Sequence, residues 1–225
     1  IRTAPIEPGM PVPRILVVAP PPIRTPQGPI APKFESGERK CVGLAAAFQA
    51  VCAELGCDFF DAGAVITSSN VDGVHLDDYF YPYPEKTRRG RPILFPDAGA
   101  YTRYRARGGQ LAKDDWRRSN VDSLVRALHD GIHRVKPWVK FGVSPFGIWR
   151  PGYPAGIRGF DAYAELYADA RTWAREGWVD YLSPQLYWPS GRPEQSYPDL
   201  LRWWGEQNTL GRHLWPGNFT SRVGD

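Results

Sequence analysis

The chain has few cysteines, no basic stripe and no long apolar run, and each shortage removes a class of protein. Cys41, Cys52 and Cys57 are the full set, an odd count without companion histidines at ligand spacing. That argues against a disulfide framework and against a zinc site, and reads as buried reduced thiols. The formal charge is only +4. Its basic pairs, Arg88-Arg89 and Arg117-Arg118, have acidic residues nearby. Nothing tracks a phosphate backbone, so no nucleic-acid partner is expected. No stretch approaches the ~18 apolar residues of a membrane span. Glycine-rich phosphate cradles and cofactor motifs are also missing, so neither metal nor cofactor is expected.

Aromatics and proline are plentiful: 9 Trp, 11 Tyr and 23 Pro. Such residues suit loop-rich clefts that stack flat ligands, although aromatics also fill cores. The chain opens at Ile1 with no initiator Met or signal segment, and stops soon after a predicted strand. Both ends are expected to be cut, which makes the chain a fragment.

Along the chain the pattern is α/β. Residues 14–19 (RILVVA) form a nearly continuous apolar run, as in a buried parallel strand. The proline-rich segment after it is expected to be a loop. Helical spacing of Val42, Leu44, Phe48, Val51 and Leu55 predicts a helix over 38–55, followed by a strand over 57–60. A strand over 71–76 ends in Asp77-Asp78, and a long aromatic and basic loop runs from Tyr79 to about Lys113. Asp114 or Asp115 is expected to cap a helix that reaches Val135. Further strands at 139–144, 180–186 and 213–217 alternate with helices at 160–176 and 197–207. Such alternation predicts parallel β/α units.

Asp72 and His75 form an Asp-x-x-His cluster, a spacing that lets a carboxylate orient a histidine able to deprotonate a serine. Together with PRILVVAPPP and CDFFDAGAVITSSNVDGVHLD, this cluster resembles the C-terminal half of SGNH (GDSL-type) hydrolases over about residues 12–78. The resemblance implies a flavodoxin-like segment with Asp72 and His75 as two triad members. The family's nucleophilic serine and oxyanion donors do not precede them here, so nothing remains for the pair to activate.

From Val71 onward a second resemblance takes over. VDGVHLDDYFYPYP, DDWRRSNVDSLV, KFGVSPFGIWR, VDYLSPQLYW and HLWPGNFTSRVGD, in that order, are similar to the glycosyl hydrolase-like family 10. That resemblance implies a partial TIM-barrel-like segment of a (β/α)8 barrel, and cleavage of a glycan substrate related to the bacterial cell wall. The expected division is 1–70 for the SGNH-like segment and 71–225 for the barrel segment. The two share the block around Val71–Leu76, so a chimera joined there is expected. The alternatives are an ester hydrolase fragment, a non-catalytic carbohydrate-binding remnant and an inactive chimera.

In a barrel the chemistry sits where strands end and βα loops begin. Glycosidic cleavage needs a carboxyl pair across the scissile bond. Asp77 and Asp78 are the carboxyls at a strand end, and adjacent residues cannot face one sugar from opposite sides. One of them is expected to be catalytic, with its partner on another strand. Arg150, Gln185 and Asn218 stand at strand ends or in the loops beyond them as candidate sugar contacts. Tyr79, Tyr81, Trp149, Tyr187 and Trp188 are candidate stacking platforms or structural aromatics. Asp115, Trp116, Arg117 and Asn120 near a helix start contact sugar, or else cap the helix with solvated arginines beside it. Asp180 begins its strand and is expected on the opposite, stability face.

Overall fold

The computed structural model describes residues 71–78 and 80–219, plus the backbone of three short strands nearer the N-terminus. Those three are β1 (Ile15–Val18) and a hairpin of β2 (Arg24–Thr25) and β3 (Gly28–Pro29). The helix expected over 38–55 and the strand over 57–60 lie outside the described residues, as does Tyr79.

The main sheet has five parallel strands in the order β1, β4 (Gly73–Leu76), β7 (Lys140–Val143), β8 (Tyr181–Leu182) and β9 (His213–Leu214). Strand order follows chain order, as in an arc of a barrel; a doubly wound sheet reverses direction at a switch point. The architecture is therefore α/β with a mostly parallel, barrel-like sheet. β1 pairs with β4 from Ile15↔Gly73 to Val18↔Leu76, so the segment expected to be flavodoxin-like contributes the neighbouring strand of this same sheet.

The two faces of the sheet differ because side chains alternate along a strand. Val74, Leu76, Phe141, Val143 and Leu182 enter one core cluster with the helices. On the other face His75, Gly142 and Tyr181 stand in register across β4, β7 and β8. A Cβ on Gly142 would lie 2.1 Å from the Tyr181 ring, so glycine is what lets that ring cross β7. The Tyr181 hydroxyl then meets Nδ1 of His75 at 2.9 Å.

Between β4 and β7 lie a hairpin of β5 (Glu85–Lys86) and β6 (Pro92–Ile93), helix α1 (Ala98–Ala106) and helix α2 (Lys113–Val135). The expectation of a continuous loop from 79 to 113 is corrected here. α1 buries no residue, so its sequence carries no apolar period to reveal it. α2 buries Val121, Val125, Leu128 and Ile132 along one stripe. Its N-cap is Ala112, without a side-chain cap; Asp114 and Asp115 sit in the first turn, where their charge complements the helix dipole.

The helix expected over 160–176 is two pieces, α3 (Ala162–Glu165) and α4 (Ala170–Glu176). Asp161 and Asp169 each cap one piece through a backbone N–H. Tyr167, at φ 55°, turns the chain between them. α5 (Tyr197–Gln207) matches its expected range and buries Leu200, Trp203 and Trp204. Beyond the strands, bridges Phe146↔Gln185 and Gln185↔Gly217 carry the parallel pairing on toward the C-terminal edge.

Candidate active site

That C-terminal edge gathers the carboxyl pair. Asp78 is 4% exposed and accepts a hydrogen bond from the Tyr83 hydroxyl on Oδ2. Asp77 accepts from the Asp78 N–H at 3.0 Å and from the Gln185 amide at 2.8 Å, both on Oδ1. Burial pushes the Asp78 carboxyl up to about 6; the charge of Asp77 adds to the rise, and hydrogen bonds from Tyr83 and Gln185 oppose it. Gln185 thus lies against both acids.

Several neighbours hold Gln185 in place. Its amide also donates to the Ser144 carbonyl at 3.1 Å, and the Ser144 hydroxyl donates to the Ser183 carbonyl at 2.9 Å. A Cβ on Gly147 would stand 2.2 Å from the Gln185 carbonyl oxygen, so the loop after β7 packs backbone to backbone against it. The Trp204 indole donates to the Gly147 carbonyl at 2.9 Å and ties this loop to α5.

Beside the acids opens a groove of about 310 Å³ lined by Tyr187, Trp188, Pro189, Arg192 and Phe219. Tyr187 is 45% exposed, and its hydroxyl is raised by burial and by the charges of Asp77 and Asp78. Trp188 packs edge-on against Phe146, and Phe146 and Tyr83 both pack on Phe160. Asn218 is exposed at the same edge, its amide donating to the Pro216 carbonyl.

Asp77, Asp78, Gln185, Tyr187 and Trp188 therefore come together. Other candidates have different neighbours. Trp116 is buried under Tyr101 and Tyr104 of α1. Arg117 forks onto Asp97 at 2.7 and 2.8 Å and donates to the Tyr167 hydroxyl. Tyr81 meets Phe95 and Tyr167 edge-on, with Asn120 bonded to its hydroxyl. Asp115 pairs with Arg118 at 2.5 Å. Trp149 stacks on Trp203 and donates to Asp169, while Arg150 pairs with Asp161 at 3.5 Å and lies over Tyr163.

His75 faces Tyr181; burial lowers its pKa, and the charge that opposes this is that of Asp77. Asp72 is exposed at the N-terminal edge of β4, away from the carboxyl pair, with its carbonyl accepting from the Lys140 N–H. Tyr83, Arg192 and Phe219 went unread in the sequence. The Tyr–Pro alternation after Asp77-Asp78 is the signal that points to Tyr83.

Residues 63–224 match the family described as glycosyl hydrolase-like 10. The chain belongs to that family. It is similar to "Glycosyl hydrolase YngK" of Bacillus subtilis, with 39% identity over 168 residues, 71% of this chain and 31% of that protein. It is also similar to "Glycosyl hydrolase DigH" of Escherichia coli K12, with 42% identity over 147 residues, 63% of this chain and 31% of that protein. The chain thus spans about a third of the length of the curated relatives it matches.

This glycosyl hydrolase-like match begins at residue 63, eight residues ahead of the seam expected at 71. It includes the whole Val71–Leu76 block that both resemblances claimed. The protein is glycoside hydrolase-like, and no helix among its described residues is long and apolar enough to cross a membrane.

Proposed function

We propose that this chain carries one half of the cleavage machinery of a glycosidase acting on bacterial cell-wall glycan. The observation that carries the reading is the Asp77–Asp78 pair, with Asp78 raised to about 6 by burial beside an open aromatic groove. A carboxyl in that range keeps its proton in mildly acidic conditions and can hand it to a departing glycosidic oxygen. Asp78 is the proton donor in this reading. Tyr83 and Gln185 set its orientation, and Gln185 also fixes Asp77 through Oδ1. Tyr187 and Trp188 supply faces for pyranose rings, with Asn218 as a hydroxyl partner at the rim. The opposing carboxyl that glycosidic cleavage needs comes from another strand end of the full barrel.

The test is release of reducing ends from purified cell-wall glycan strands, by this chain and by the longer Bacillus subtilis relative carrying matched substitutions. Asp78→Asn is expected to lower kcat by about 10³-fold while glycan affinity stays within a few-fold. Unchanged rates in both Asp77→Asn and Asp78→Asn would sink the proposal. Glycan binding by this chain with no turnover in either protein would make the site a binding cleft.

A further inference from the structure

On the opposite edge of the sheet the fold assembles residues that are far apart in sequence. His129 and His133 are spaced i, i+4, so both fall on one face near the C-terminal end of α2. Asp180, immediately before β8, reaches that face. One potential ligand atom from each lies within 4.8 Å of the other two. The His129 and His133 rings are 4.3 Å apart between centroids.

The hydrogen bonds around the cluster decide which atoms are free to bind. Nδ1 of His133 faces the His129 carbonyl at 2.8 Å, so it carries the proton and donates. In the neutral ring Nε2 then holds a lone pair, and it stands 3.1 Å from Oδ2 of Asp180. A proton or a metal ion bridges two such atoms at that distance. Nδ1 of His129 faces the Asp130 carboxylate at 3.1 Å, which likewise leaves Nε2 as the outward atom. A histidine whose other nitrogen is held by a carbonyl or carboxylate is the usual arrangement of a metal ligand. The Phe141 N–H fixes Oδ2 of Asp180 at 2.8 Å. Arg212 lies 3.8 Å from the other oxygen, Oδ1, and leaves Oδ2 to the histidines.

We propose that His129, His133 and Asp180 form a divalent-metal site that clamps α2 to the start of β8. Two imidazoles and one carboxylate suit a borderline ion, Zn²⁺ best, with water in the fourth position. Ligands about 2.0–2.1 Å from a shared Zn²⁺ stand about 3.3 Å apart in a tetrahedron, close to the observed His133–Asp180 separation. The site is structural. It lies at the N-terminal end of the strands, across the sheet from Asp77 and Asp78, and it stands whether or not the glycosidase reading does.

The test uses the full chain stripped of metal, titrated with Zn²⁺ by calorimetry and with Co²⁺ by visible absorption. One equivalent is expected to bind and raise Tm. His129→Gln and His133→Ala should each weaken binding by more than about 100-fold, and Asp130→Ala by about 10-fold. His129→Gln keeps a good helix former, and its circular dichroism separates lost binding from lost fold. Failure of the intact chain to bind an equivalent would mean that a proton alone bridges His133 and Asp180, and would overturn the proposal. Unchanged binding in both histidine variants would place the ion elsewhere, at another histidine or at the thiols of Cys41, Cys52 and Cys57, and overturn it as well.

Discussion

Burial acts on the acids of this chain in opposite senses, depending on what shares the pocket. Asp97 also exposes little surface, but the hydrogen bonds and charges of Arg117 and Lys113 outweigh desolvation and hold it below the usual carboxylate range. Among the described residues Asp78 has hydroxyl and amide donors but no cation, so burial wins and carries it to about 6; Asp122, bonded to the Trp173 indole, rises to about 6 as well. A raised carboxyl means that the fold prefers its protonated form. The stability it contributes is full below the unfolded value near 3.8 and is lost as pH rises through about 6. Asp78→Asn is therefore expected to match the parent chain at pH 4 and to exceed it by about 1–2 kcal/mol at pH 7. Urea midpoints at the two pH values check this, and a difference that does not change with pH would contradict it. The sequence placed Asp77 and Asp78 at a strand end. Their partners differ in reach: Tyr83 lies five residues from Asp78, whereas Gln185 is brought to the pair only by the fold.

At the scale of elements, local pattern reads well where one stripe faces a core and poorly where tertiary contacts choose between local options. α2 and α5 are legible because Val121, Val125, Leu128 and Ile132, or Leu200, Trp203 and Trp204, recur at helical spacing. The stretch 160–176 has the same period, yet it breaks, because Asp161 and Asp169 each capture a backbone N–H three residues on. Asp169 has further partners: it accepts from the Thr172 hydroxyl at 2.7 Å and the Trp149 indole at 2.9 Å. Asp169→Ala is expected to cost about 2–3 kcal/mol, combining a lost cap with a buried indole left unpaired. Asp161→Ala loses its cap and a half-exposed ion pair with Arg150, and should cost about 1 kcal/mol. Denaturant titration of the two variants compares them, and equal losses would argue against the double role of Asp169.

Across the whole molecule, a single core joins the outer face of the sheet to α2, α4 and α5, with Trp173 and Trp204 among its largest buried side chains. Trp204 reaches from α5 to the Gly147 carbonyl and so supports the loop that holds Gln185. Trp204→Ala is expected to cost about 3–5 kcal/mol. One transition should remain, with near- and far-ultraviolet dichroism lost together; separated transitions would show that α5 and the sheet do not share a cooperative core. The alternation of strands and helices, the parallel class and the placement of Asp77-Asp78 were determined by sequence alone, because apolar period and turn chemistry are local properties of the chain. Strand order decided the rest. It laid Tyr181 over Gly142 against His75, brought Gln185 to Asp77, and set Asp180 beside His129 and His133. Such meetings depend on which strands become neighbours, and no spacing along the chain encodes that.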